Sequence, residues 1–254
     1  MDTKLIQSRF TKSIKTYDSE AIAQKIIAKE IISGMKLLGI SKLESVLEIG
    51  SGTGLLTKML LDNFYVKKIQ IIDLIPETIS LQIYLSHKYP ETEIIAHVGD
   101  IEQMRFTEQF DLIISSSTFH WLNDFQSFST CMSTCLKPSG CFIFNTFGPY
   151  NLKEIKSISN IGLHYFSDEK MVAILNENLL IEKKYTKEIC LKFSSPDDIL
   201  RHLKNTGVNG VQTHIWTKSK YIEFVERYNQ FYNRDNKVQL TYHPMFYYCR
   251  KKLQ

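Results

Sequence analysis

Between residues 18 and 37 the apolar positions recur at helical spacing: Ile22, Ile26, Ile27 and Ile31 fall three to five apart, while Glu20, Lys25, Lys29 and Lys36 take other faces. The pattern predicts an amphipathic helix with Asp18 as its N-cap, because a short carboxylate accepts from amides that a helix start leaves unpaired. After Gly39 the period changes. Short apolar runs, SVLEIG, KKIQIID, EIIAHV, FDLIISS and CFIFNTF, alternate with helical stretches beginning at about Thr53, after Pro76 and after Asp124. Strands separated by helices imply parallel β/α units with right-handed crossovers, so the first 147 residues predict an open, doubly wound sheet.

Beyond Gly148-Pro149 the rhythm predicts helices near 151–160, 168–177, 196–206 and 218–232 around a strand pair near 180–193. The last segment, KVQLTYHPMFYYCRKK, predicts a strand, with Pro244 pointing to a bulge or an edge position. No Pro/Gly/Ser-rich linker interrupts the chain, so residues 1–254 read as one domain. In it, residues 1–149 form an N-terminal helix and an α/β core, and residues 150–254 add a helical cap and two more strands.

Composition narrows the class. With 43% hydrophobic and 23% charged residues among 254, the chain is neither disordered nor collagen-like. No apolar run nears the ~18 residues of a spanning helix, and MDTKLIQSRF lacks a signal-peptide core, which predicts a cytoplasmic protein. The formal charge of +4 does not call for nucleic acid, although residues 183–220 hold eight Lys or Arg against three acids and leave room for an acidic partner. Five cysteines without a C-x-x-C pair suggest buried free thiols; Cys131 and Cys135, four apart, lack companions at metal-ligand spacing. In YIEFVERYNQFY, Tyr221, Phe224, Val225, Tyr228 and Phe231 form a helical core stripe.

The chemistry starts at Glu48-Ile49-Gly50-Ser51-Gly52-Thr53-Gly54, which ends the first strand and opens a helix. Backbone amides there are expected to face a ligand that approaches a chain without side chains. The dinucleotide form would place its third glycine where Leu55 stands, and a carboxylate at Glu48 repels a pyrophosphate but attracts an ammonium. Asp73 ends the second strand nineteen residues after Gly54, where an acid can accept both ribose hydroxyls. Asp100, in Gly99-Asp100-Ile101 after the third strand, can accept from an adenine amine while Ile101 packs on the ring. Together these describe an adenosine joined to an amino acid.

In VLEIGSGTG, Asp73, GDIE at 99–102, FDLIISSSTFHWL at 110–122 and LKPSG at 136–140, the chain resembles the class I S-adenosylmethionine-dependent methyltransferases over roughly residues 40–147. The resemblance implies a Rossmann-like α/β fold, a doubly wound, mostly parallel sheet of seven strands under a helical cap, with S-adenosyl-L-methionine as cofactor. The expected cofactor contacts are Tyr17, Glu48, Ile49, Gly50, Ser51, Gly52, Asp73, Leu74, Asp100, Ile101, Ser115, Ser116 and Phe119. RFTKSIKTYD at 9–18, STFHWLND at 117–124, NTFGPYNLKEI at 145–155, LRHLKNTGV at 200–208 and LTYH at 240–243 are similar to the biotin-pathway malonyl-acyl-carrier-protein O-methyltransferases, over nearly the whole chain. That likeness implies methylation of the free carboxylate of a malonyl thioester on acyl-carrier protein or CoA. NIGLHYFSDEK at 160–170 departs from it, with no arginine beside its aromatic residues.

A carboxylate of pKa about 4 is already ionised at neutral pH and needs an orienting anion site more than a base. Candidates for that work are Tyr17, His120, Tyr165, Arg201 and Lys204, with His164 and His202 beside them. Arg201 and Lys204 sit three apart on one predicted helical face, which a solvated basic surface would also explain. Phe119, His120 and Trp121 follow the fourth strand at the carboxyl edge of the sheet, where doubly wound folds collect ligands. Tyr17 is expected to close the cofactor pocket with Phe10 behind it. Another small-molecule acceptor and a non-catalytic binding module are the competing readings; SSSTFHW in place of an N/D-P-P-Y-like loop argues against a nucleic-acid acceptor.

Overall fold

The computed structural model describes residues 2–160, 162–208 and 217–252; residues 209–216, inside the basic stretch, and Ile161, inside 160–170, lie outside them. The chain runs α1 (Thr3–Glu20), α2 (Ile22–Leu37), β1 (Lys42–Ile49), α3 (Leu55–Asn63), β2 (Tyr65–Asp73), α4 (Glu77–Lys88), β3 (Glu93–Val98) and β4 (Phe110–Ser115). It continues through α5 (Phe125–Thr134), β5 (Leu136–Phe147), α6 (Lys153–Ser159), α7 (Asp168–Leu175), β6 (Leu179–Thr186) and β7 (Ile189–Phe193). The last elements are α8 (Pro196–Asn205), α9 (Lys218–Tyr232), β8 (Asn233–Arg234), β9 (Lys237–Tyr242) and β10 (Pro244–Lys251).

Among the described residues, seven strands form one sheet in the order β3-β2-β1-β4-β5-β10-β6. β1 pairs in parallel with both β2 and β4, and β10 pairs antiparallel with β5 and β6. The strand order therefore reverses between β1 and β4, which opens a crevice beyond their carboxyl ends. Alternation along each strand feeds two cores. Val46, Ile71, Ile143 and Phe147 face one side with Ile27, Ile31 and Met35 of α2, while Leu47, Ile72, Phe142 and Phe144 face the other with Phe128 and Met132 of α5.

Several expectations change. The N-terminal helix is two helices, and Asp18 lies inside α1: Ala21 N–H still donates to Tyr17 O at 2.8 Å, so the helix has not begun again at residue 18. Asp18 instead accepts from Thr53 Oγ1 at 2.5 Å and lies 3.7 Å from Lys58 Nζ. The strands near 180–193 do not pair with each other; β6 joins the main sheet, and β7 forms a separate antiparallel sheet, β7-β9-β8. The C-terminal segment breaks at His243 into β9 and β10, one in each sheet. Pro244 opens β10, inside the sheet, where a missing N–H costs least. The stripe on α9 is buried only at Phe224 and Tyr228, with Phe231 exposed, and of the five free cysteines Cys190 is exposed and Cys131 half-buried.

Candidate active site

The crevice at the switch point is an open cleft of about 1190 Å³ of empty space, counted to its mouth, where open α/β sheets collect ligands. Its floor is the turn after β1. Gly50 has φ +74°, and a Cβ there would stand 2.0 Å from Thr118 Oγ1; Gly52 has φ +52° and faces open space, so a side chain would project into the cleft. The loop amides do not face a ligand as expected. Gly50 and Ser51 N–H donate to Ile72 O at 2.8 and 3.1 Å, Gly52 N–H to Asp73 Oδ2 at 2.7 Å, and Gly54 N–H to Ser51 O at 2.8 Å. With these donors spent, a phosphate finds no nest here.

Acidic groups instead face the cleft. Glu48 is 1% exposed, its Oε2 has no partner among the described residues, and burial, with Asp73 nearby, pushes its pKa up to about 8. Asp73 is also raised by burial, although it accepts from Gly52 and, at 3.2 Å, from Ile75 N–H. Its two oxygens offer about four acceptor positions, more than these backbone amides use, which leaves room for a hydroxyl. Asp100 lines the cleft with Ile101 and uses Oδ1 to cap the turn Ile101–Gln103, accepting from Glu102 N–H at 3.0 Å.

α1 forms the roof. Thr3, Gln7, Phe10, Ile14 and Tyr17, spaced three or four apart, turn one face to the cleft together with Ile6. Gln7 Nε2 donates to Leu74 O at 2.6 Å, and Thr16 Oγ1 to Asn205 O of α8 at 2.9 Å. The Tyr17 hydroxyl is held protonated by burial and by Asp73 and Asp18. At the Asp100 end of the cleft Glu102 accepts from Asn123 and Asp124 N–H at 3.0–3.1 Å, which ties the turn Phe119–Trp121 to the turn after β3.

Of the expected contacts, Tyr17, Glu48, Ile49, Gly50, Ser51, Gly52, Asp73, Leu74, Asp100, Ile101 and Ser116 line the cleft. Ser115 does not: it is fully buried and donates to Ile49 O at 2.7 Å, stitching β4 to β1. Phe119 points into the second core, its ring 5.0 Å from that of Phe144 and 5.1 Å from that of Phe128. His120 and Tyr165 stand behind the wall, rings 6.3 Å apart, and the Tyr165 hydroxyl accepts from Asn151 Nδ2 at 2.9 Å. Burial lowers the pKa of His120 to about 3 and raises that of Tyr165 to about 12, so both are neutral at pH 7. Arg201 pairs with Asp198 at 3.0 Å on the exposed side of α8, and Lys204 is exposed beside it. His202 is buried 2.8 Å from the Tyr242 hydroxyl, and His164 is exposed. Gln7 and Gln24 also line the cleft and carry no motif that marks them in the sequence, while Ser117 and Thr118 line it from the stretch STFHWLND.

The matched family model, a methyltransferase domain, covers residues 47–144, the strands and turns that build this floor. A malonyl-[acyl-carrier protein] O-methyltransferase of Porphyromonas gingivalis is 35% identical, over 98% of this chain and 96% of its own. The enzyme of that name from Calditerrivibrio nitroreducens is 36% identical, over 96% of each. The chain belongs to the malonyl-[acyl-carrier protein] O-methyltransferases.

Solved structures share the fold. The N-methyltransferase NodS of Bradyrhizobium japonicum, in complex with S-adenosyl-L-homocysteine, superposes with a TM-score of 0.55 at 16% identity over 94% of this chain and 99% of its own. YcgJ of Bacillus subtilis gives 0.64 at 14% identity over 89% and 100%. This methyltransferase therefore puts its buried acids, glycine turn and α1 around the crevice where its fold collects ligands. Among the described residues no helix is long and apolar enough to cross a membrane.

Proposed function

We propose that this methyltransferase esterifies the free carboxylate of a malonyl group carried on acyl-carrier protein, with malonyl-CoA as the lesser acceptor, using S-adenosyl-L-methionine, as an early step of biotin synthesis. The observation that carries the reading is 35% identity to an enzyme of that name over 98% of the chain. The cleft fits the cofactor. A buried Glu48 oxygen without a partner suits an ammonium, Asp73 a ribose diol, and Asp100 with Ile101 an adenine. When bound, the cofactor supplies an electrophilic methyl group whose bonding pair leaves with sulfur, so an acceptor that is already an anion gives up no proton.

The chain's residues then have to orient and exclude. α1 keeps water from the reacting centre, and Tyr17, held protonated, can donate a hydrogen bond but not take up a proton. His120 and Tyr165, neutral and behind the wall, serve no base; a carboxylate acceptor asks for none. Arg201 and Lys204, exposed on the helix that α1 packs against, suit an acidic carrier at the mouth rather than the malonyl group itself. Incubation of malonyl-carrier with methyl-labelled cofactor tests the reading. Mass spectrometry is expected to find label in a base-labile methyl ester at the malonyl terminus; no label there, with the cofactor bound, would overturn it.

A further inference from the structure

Four buried polar atoms near the ends of β4 and β5 have no hydrogen-bond partner among the described residues: Ser117 Oγ, His120 Nδ1, Trp121 Nε1 and Asn145 Nδ2. Ser117 and Trp121 line the cleft. Asn145, fully buried, lies against Ser117, whose N–H donates to Asn145 Oδ1 at 2.9 Å. The His120 ring is 4.7 Å from that of Trp121 and 5.0 Å from that of Phe147, two residues beyond Asn145 on the same face of β5. Ser117 also holds φ +57°, a left-handed conformation that a serine keeps only where its surroundings hold it.

The kinds of atom decide what belongs there. An indole N–H and an amide NH₂ only donate, while an imidazole N–H and a hydroxyl can donate. Leaving such groups buried and unpaired costs free energy, which a ligand bearing acceptors restores. No Lys or Arg lines the cleft among the described residues. On the reading of the acceptor given above, we propose that Trp121 and Ser117, which line the cleft, backed by His120 and Asn145 behind its wall, form a neutral donor site for the acceptor's carboxylate, so that the anion is oriented without a cation. Burial keeps His120 uncharged. A guanidinium here would pair with the acceptor, blunting its nucleophilicity, and would repel a sulfonium. The site accounts for the missing arginine at 160–170 and reassigns Arg201 and Lys204 to the exterior.

The test uses the full chain saturated with S-adenosylhomocysteine, so that no methyl transfers, and measures by calorimetry the affinity for malonyl-pantetheine and for its terminal carboxamide. The wild type is expected to prefer the carboxylate. Trp121→Phe and His120→Phe should each reduce that preference by on the order of 10- to 150-fold, the range of one hydrogen bond to a charged group. His120→Asn, whose amide can replace Nδ1–H, should restore it. Unchanged affinity for S-adenosylhomocysteine marks a folded variant, and where one variant loses it the other carries the comparison. Preference retained in both, or absent from the wild type, would overturn the donor site, while methyl ester formation on malonyl-carrier would leave the acceptor reading standing. No binding of either pantetheine compound and no ester would end both.

Discussion

At the scale of the residue, Glu48 is the most informative group in the cleft. Its pKa near 8 means that the free protein holds a proton there at neutral pH. A bound ammonium favours the carboxylate, so binding expels that proton, and affinity should rise as pH goes from 6 toward 8 and level off above. Titration calorimetry in buffers of different ionisation enthalpy should register proton release at pH 7 in the wild type and none in Glu48→Gln; equal release in both would contradict the assignment. Glu48, Gly50, Gly52, Asp73 and Asp100 were legible because turn geometry and charge at a strand end leave few residue types open. Ser115 and Phe119 were misjudged because sequence places them beside the cleft but does not say which way a side chain turns. Ser115 spends its hydroxyl on Ile49, and Phe119 joins an aromatic core.

At the scale of the element, α1 shows what periodicity misses. Its apolar residues Ile6, Phe10, Ile14 and Tyr17 are sparse among Lys, Ser, Thr and Gln, since they roof a ligand cleft and only Ile6, with Phe10 against it, reaches the core. A helix that gains its contacts from a ligand is drawn from the less stable end of the structure. Adding S-adenosylhomocysteine should therefore slow amide exchange across residues 3–20 more than across α5. Gln7→Ala, which removes the bond to Leu74 O, should weaken the ligand by roughly fivefold, for a bond worth ~1 kcal/mol. Exchange in α1 indifferent to the ligand would deny it the part of a lid. The second sheet was illegible for a different reason: alternation marks β7 and β9 as strands but carries no instruction about which sheet they join, and the hydrogen bonds of Lys187 and Gly148 with Pro244 and His243 decide it.

At the scale of the whole molecule, burial lowers the pKa values of His120, His202 and His243 and raises that of Glu48. Below pH 6.5 the unfolded chain takes up protons at the three histidines that the folded protein refuses, so acid destabilises. Between about 4.5 and 8 Glu48 does the opposite, because the folded protein holds a proton that the unfolded chain has released. The thermal midpoint of the cofactor-free protein should fall from pH 7 to pH 5, and fall more steeply in Glu48→Gln; a shallower fall in that variant would reverse the sign of the Glu48 contribution.

The parallel core was readable from the alternation of runs and helices, whereas the proposed acceptor site was not, since Ser117 after β4 and Asn145 in β5 meet only once the sheet has formed. The central claim is that this site receives a carboxylate delivered on a long arm. Contacts remote from the reacting group supply the binding energy that orients it. The most direct measurement is kcat/KM for methyl transfer to malonyl-carrier, malonyl-CoA and free malonate under identical conditions. The account predicts the carrier first, CoA second and malonate last, with kcat falling as well as KM rising on truncation; turnover of free malonate equal to that of the carrier-bound group would contradict it.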